Sequence, residues 1–331
     1  MMLIIGFGAY VGQHFLLSAA ARTLSLSAVA RMTDEEVRTT FQRIRWADNS
    51  GEPYCPRCGC VDARRLATRP VWQCKGCSYQ FSVTAGTIFA DRKRPIRDYL
   101  LAIAIFVNGA KGHSALQLSR DLACQYKTAF VLAHKLREVI EAEQRKTEFV
   151  GGEYAIDGAY FGGHLKPENE AAKRVDRRTA EEQTGKRQVV VVMREHNGKT
   201  LPFVFRKESD AIPAIRERIP FGSTVHADEA RSWDSLHAHY EMRRINHSVA
   251  FSKDGACTNQ AESYFSRLRR AEIGIHHRIS GKRLSPYASE MAWREDHRRV
   301  PNGAQFNAIT SLALKHPMSR EWRGYWQRSS R

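Results

Sequence analysis

Acidic residues are in short supply. Across 331 residues Asp and Glu total 35 against 52 Lys and Arg, a formal net charge of +17. The excess points to a polyanionic partner, with nucleic acid first, and the plain alternative is a solvated basic surface. No glycine-rich phosphate loop of the Walker type occurs, so use of ATP is not indicated. No internal repeat is visible. Cysteine is sparse, at seven residues, far from the density of a small disulfide-stapled secreted domain, and a reducing cytoplasm fits better. The first twenty residues are apolar, but no basic residue precedes Arg22, which excludes the pattern of a signal peptide. Gln13 and His14 interrupt the run and argue against a membrane span. Residues 1–31 are therefore expected to be an extension outside the native protein, with Met32 as the native start. The length allows two or three domains with at least one sizeable core.

Four of the seven cysteines are spaced for a metal. Cys55-x-x-Cys58 and Cys74-x-x-Cys77, fifteen residues apart, match two knuckles of a tetrahedral zinc ribbon. Zinc is expected, although four thiolates would also accept iron. Cys60 lies too close to Cys58 to add an obvious fifth ligand, and Cys124 and Cys257 read as isolated thiols. Gly59 and Gly76 suit the tight knuckle turns, and 62–71 suits a hairpin.

The remaining pattern divides the chain. Residues 32–52 hold a short helix with a Thr33/Glu36 capping box and an apolar stripe of Val37, Phe41 and Ile44. The ribbon occupies 53–92. Residues 93–150 are helical, and the pair 114–122 and 126–137 around a turn at 123–125 has the length of a helix-turn-helix. An ordinary antiparallel helix pair is the alternative. The second helix is expected to offer Gln125, Lys127, Thr128 and His134 outward, with Lys135 and Arg137 added as DNA contacts. From 151 to 300 the pattern turns to strands: 153–157, then 188–193 and 202–205 joined by Asn197-Gly198, then a helix at 211–219, a strand at 223–228, a helix at 232–240, a strand at 241–246 and a helix at 259–270. That order is an α/β, ribonuclease H-like mixed sheet. A basic stretch, 164–186, reads as a loop able to follow phosphates. Residues 301–331 read as a basic tail.

Three acids occupy matching points of such a fold. Asp157 is expected at the end of the first strand, Asp228 at the end of the fourth, and Glu262 in the first turn of the later helix. Converging carboxylates suit Mg²⁺ (or Mn²⁺), and two such ions would serve phosphoryl transfer. Singly, each has a structural reading: a turn at Asp157-Gly158, a helix cap at Asp228, and a capping pair at Asn259/Glu262. Arg269 lies seven residues beyond Glu262, on the same helix face, and could pair with a phosphate. His226 shares a strand face with Asp228 and either tunes the site or packs in the core.

With these residues in view, the sequence resembles bacterial insertion-sequence DDE transposases with an N-terminal zinc ribbon, the ISXO2-like group. The resemblance rests on Cys55-Pro-Arg-Cys58, Trp72-Gln-Cys-Lys-Gly-Cys77, Ala155-Ile-Asp157-Gly, His226-Ala-Asp228 and the run Thr258 to Arg270, extended by Gly274 to His277 and Tyr287 to Arg294. It implies catalytic, Mg²⁺-holding roles for Asp157, Asp228 and Glu262, and a basic residue seven positions after the third acid, here Arg269. Some relatives place an Asn in the third role, which keeps Asn259 open, but Asn259 has Ser266 rather than a base seven residues on. The resemblance further implies cleavage at transposon ends, 3′-hydroxyl strand transfer into target DNA, terminal inverted repeats and target DNA as partners, a homo-oligomer on DNA, and a cytoplasmic, nucleoid-associated protein. A zinc-ribbon and helix-turn-helix regulator without catalysis is the alternative.

Overall fold

The computed structural model describes residues 15–150, 152–162, 169–173, 187–245, 252–253 and 256–328. The basic stretch 164–186, apart from 169–173, lies outside the described residues, as do residues 1–14. Among the described residues no helix is long and apolar enough to cross a membrane.

The N-terminal part is built of helices around the ribbon. Helix α1 (Leu26–Arg31) is followed by α2 (Asp34–Arg45), whose start carries the expected capping box: Glu36 N–H donates to Thr33 Oγ1 at 3.2 Å and Thr33 N–H to Glu36 Oε2 at 2.6 Å. A small antiparallel sheet of β1 (Ala63–Arg65), β2 (Trp72–Cys74) and β3 (Gln80–Phe81) forms the ribbon. Helices α3 (Ile96–Asn108), α4 (Ala115–Asp121) and α5 (Tyr126–Gln144) follow. Arg45 ties α2 to the ribbon by donating to the carbonyls of Ser82, Val83 and Ala85. One apolar core joins these elements.

At both ends the chain packs in ways that its pattern did not signal. Within the supposed extension, Val29 has no exposed surface and packs in that core. Asn302 accepts from the backbone N–H groups of Thr23 and Leu24, both at 2.8 Å. The supposed tail begins with α9 (Asn302–Lys315), whose Phe306, Ile309, Ala313 and Leu314 enter the same core. Removing these apolar side chains from water favours docking of the helix on that core.

The second part is a five-stranded sheet. Its strands are β4 (Glu153–Gly162), β5 (Arg187–Glu195), β6 (Thr200–Phe205), β7 (Thr224–Asp228) and β8 (Glu241–Ile245), in the order β6-β5-β4-β7-β8. Pairings β6/β5 and β5/β4 are antiparallel, and β4/β7 and β7/β8 parallel. This is the ribonuclease H-like order. The Asn197-Gly198 turn closes the β5–β6 hairpin with Asn197 in the left-handed region at φ 57°. Helix α6 (Ile212–Arg218) belongs to the apolar cluster on one face of the sheet, while α7 (Asn259–Ala271) and α8 (Leu284–Asp296) pack on the other. Val189 to Met193 is buried on both sides, as a doubly covered strand requires. A short hairpin of β9 (Ser252–Lys253) and β10 (Ala256–Cys257), which the pattern did not signal, leads into α7. The expected helix after Asp228 is a 3-10 segment, Arg231–Ala238.

Candidate active site

Asp157 is not at a strand end. β4 runs on to Gly162 because β5 pairs with it along its whole length, whereas β7 pairs only with Glu153 to Ala155. The parallel register sets Ala155 opposite His226, so Asp157 and Asp228, two residues further along each strand, stand level where β7 ends. Ala155 and Ala159 pack among α7 and α8 side chains, so alternation turns Asp157 toward α7.

Helix α7 supplies the third acid. Its entry is set by Thr258, wholly buried, whose carbonyl accepts from Glu262 N–H at 3.0 Å. Asp157, Glu262, Phe265, Ser266, Arg269 and Arg270 line one cleft of about 560 Å³. Glu262 and Arg269 thus share a helix face, as their spacing requires. Asn259 is exposed on the first turn and does not line the cleft.

The acids act on one another. Burial raises the Asp157 carboxyl, the Gly158 N–H that donates to its Oδ1 at 2.7 Å offsets this in part, and the charges of Asp228, Glu262 and Glu208 raise it further, to about 7. Asp228 is fixed by its Oδ1, which accepts from Trp233 Nε1 at 2.8 Å and from Ala230 N–H at 3.2 Å. Arg244 donates to the Asp228 carbonyl at 2.6 Å and holds the end of β7 to β8. Oxygen donors on a half-buried cleft are the set a hard cation such as Mg²⁺ takes. The carboxylates stand wider apart than the thiols: among the described residues only the four cysteines gather three or more such ligand atoms within 4.8 Å of one another.

Cys55, Cys58, Cys74 and Cys77 form that cluster. Cys55 Sγ lies 3.6 Å from Cys77 Sγ, and Cys58 Sγ 3.6 Å from Cys74 Sγ. Zinc–sulfur bonds near 2.3 Å give tetrahedral edges of about 3.8 Å, so the thiols fit. Arg57 N–H and Cys77 N–H donate to Cys55 Sγ and Cys74 Sγ, each at 3.4 Å.

His226 does not touch Asp228 through any described hydrogen bond. It is buried, its Nδ1 accepts from Cys257 N–H at 3.1 Å, and burial lowers its affinity for a proton. It fastens β10, and through it the start of α7, to the sheet. The DNA contacts expected on α5 divide. Lys127 and Thr128 are exposed. Lys135 is half-buried and donates to the Ile88 carbonyl at 2.8 Å. Arg137 is 1 % exposed and paired with Glu290, so it faces the interior and not DNA. His134, expected outward, is buried and stacked on Trp322 at 4.3 Å between ring centroids. Helical spacing could not show which turns of α5 the rest of the chain would cover.

Comparison with known proteins agrees with this layout. Residues 149–296 match the ISXO2-like transposase domain, and residues 32–80 match the transposase zinc-ribbon domain. An uncharacterized protein in the transposable element ISH50 of Halobacterium salinarum is 23% identical over 296 residues, 86% of this chain and 98% of that protein. Among solved structures, the Mos1 strand transfer complex is similar at a TM-score of 0.24 and 11% identity, over 81% of this chain and 84% of that one. The Mos1 transposase paired-end complex with left transposon end follows at 0.19 and 12%, over 66% and 79%. With a zinc ribbon leading into an ISXO2-like DDE domain, the chain belongs to the insertion-sequence transposases of that kind.

Proposed function

We propose that the chain cleaves DNA at the ends of its own element and joins the freed 3′-hydroxyl to target DNA, with Asp157, Asp228 and Glu262 holding Mg²⁺ (or Mn²⁺). The observation that carries this reading is the convergence of the three acids, from two adjacent strands and one helix, inside the matched transposase domain. A bound divalent cation would supply activation of a water or hydroxyl and neutralise the phosphodiester. Asp157 lines the strand side of the cleft, with Asp228 beside it at the end of β7, and Glu262 lines the helix side. Arg269 and Arg270, exposed on the cleft wall, receive phosphate oxygens. His226 is a positioning residue that acts through β10 on the start of α7. The net charge of +17 supplies attraction for double-stranded DNA. The four cysteines hold zinc, and the ribbon with α4 and α5, through Lys127 and Thr128, recognises terminal repeats. Pairing of two ends calls for a homo-oligomer on DNA.

The test is a cleavage and strand-transfer assay with Mg²⁺ on DNA flanking the gene. Wild-type protein is expected to nick at the element ends and join them to a second duplex. Asp228→Asn is expected to bind the same DNA and cut nothing. Retention of cutting by that variant removes the site from the reaction, and binding without cutting by the wild type leaves a DNA-binding regulator.

A further inference from the structure

A fourth acid stands beside Asp157, behind Gly158. Glu208 opens the 3-10 turn Glu208–Ala211 that joins β6 to α6. The turn is fixed: Lys207 N–H donates to Asp210 Oδ2 at 3.2 Å, and Ala211 has no exposed surface. Ser232 Oγ donates to Glu208 Oε2 at 2.9 Å and orients the carboxylate. Its Oε1 is directed at Gly158, the neighbour of Asp157, where a Cβ would come within 2.9 Å of it. A Cβ at position 158 would push the Glu208 carboxylate away from β4. Glu208 lies close enough for its charge to bear on Asp157, and that of Asp228 to bear on Glu208.

An anion placed beside two others, half-buried, with the Ser232 hydroxyl as its side-chain partner among the described residues, costs stability unless a cation joins it. Its neighbour Asp210 caps a backbone N–H; Glu208 makes no such structural bond among those described. We propose that Glu208 is a fourth carboxylate of the cleft and shares in holding the divalent cation, an inference that rests on the metal-dependent reading above. Asp157 and Glu262 would offer carboxylate oxygens from the α7 side of β4, and Glu208 from the α6 side.

The test is Mn²⁺ binding to the purified full-length protein with its ribbon metal in place, read by calorimetry and by the electron paramagnetic resonance of free Mn²⁺. The proteins compared are the wild type, Glu208→Gln, Asp228→Asn and, as control, Glu217→Gln on the exposed side of α6. Glu208→Gln keeps the shape and relieves repulsion, so its metal-free melting temperature should not fall. It is expected to weaken Mn²⁺ binding about tenfold or more, as loss of a metal-site carboxylate does, while Glu217→Gln binds as the wild type. If Asp228→Asn abolishes binding and Glu208→Gln leaves it unchanged, Glu208 is outside the metal site and the three-acid reading stands. If Asp228→Asn also binds like the wild type, the cleft is not the metal site and both inferences fall.

Discussion

Arg137 Nε donates to Glu290 Oε2 at 2.7 Å, with the two side chains 1 % and 0 % exposed. Arg294 Nε donates to the other oxygen at 2.9 Å, and its Nη2 donates to the Phe106 carbonyl at 2.7 Å. Burial alone would raise the Glu290 carboxyl, but the two guanidinium groups hold it at about 2. The pair joins α5 of the helical part to α8 of the sheet part. On the same helix α8, Glu295 receives Arg194 from β5 and Arg267 from α7. The Tyr287 to Arg294 motif thus serves to lock the two parts together.

Replacing Arg137 should therefore act on stability. Arg137→Met leaves Glu290 buried with one partner fewer, and breaking such a pair costs about 3–5 kcal/mol. Urea denaturation measures it. A loss below about 1 kcal/mol would show that Arg294 alone satisfies the carboxylate.

Lys127 should behave in the opposite way. It is exposed at the first turn of α5, with Nζ 5.2 Å from the Trp326 ring. Lys127→Ala is expected to move stability by no more than about 0.5 kcal/mol. The slope of log affinity for DNA against log salt should shrink by about 1. An unchanged slope would place the DNA elsewhere.

Metal removal should be visible in the aromatic signal of the ribbon. Trp46, 1 % exposed, packs edge-on against Trp72 at 5.4 Å, and Trp72 precedes the ligand Cys74 by two residues. Chelation is expected to collapse the near-ultraviolet dichroism of this cluster, and Zn²⁺ to restore it, because a structural site contributes folding energy directly. The separate clusters on the two sheet faces should persist. A signal indifferent to chelators would mean that the four thiols hold no metal.

The Asp157 carboxyl gives the cleft a pH signature in metal-free protein. Its value of about 7 lies above the ordinary 3.8. Between those values the folded state keeps a proton that the unfolded chain has released, so stability falls as pH rises through the window. Asp157→Asn removes this dependence. At pH 8 the metal-free variant should exceed the wild type by about 1–3 kcal/mol, and the difference should close below about pH 4. Thermal melts from pH 4 to 9 measure it; a variant less stable at pH 8 would contradict the strained state of this carboxylate.

Much of this was legible in the sequence because the signals are local. The capping box of Thr33 and Glu36, the Asn197-Gly198 turn and the two cysteine knuckles each work within a few residues of chain, and each stands where its pattern puts it. The alternation of β7 already set His226 and Asp228 on one face. Other features have no local signal. Asp157 reads as a strand end, since Gly158 follows it, yet the strand continues because β5 is there to pair with. Glu208 sits in an ordinary polar turn, and only Gly158, fifty residues earlier, marks its place. Arg137 looks like its exposed neighbours on α5 until α8 covers it.

The cysteine spacing, the basic excess and the three acids at corresponding points of a β-β-β-α-β order depended on the order of residues alone, because short-range geometry and charge need no partner segment. Which acids share a cleft, which cations face water and which ends of the chain join the core depended on folding. Burial and pairing belong to segments hundreds of residues apart, and their energies exist only once those segments meet.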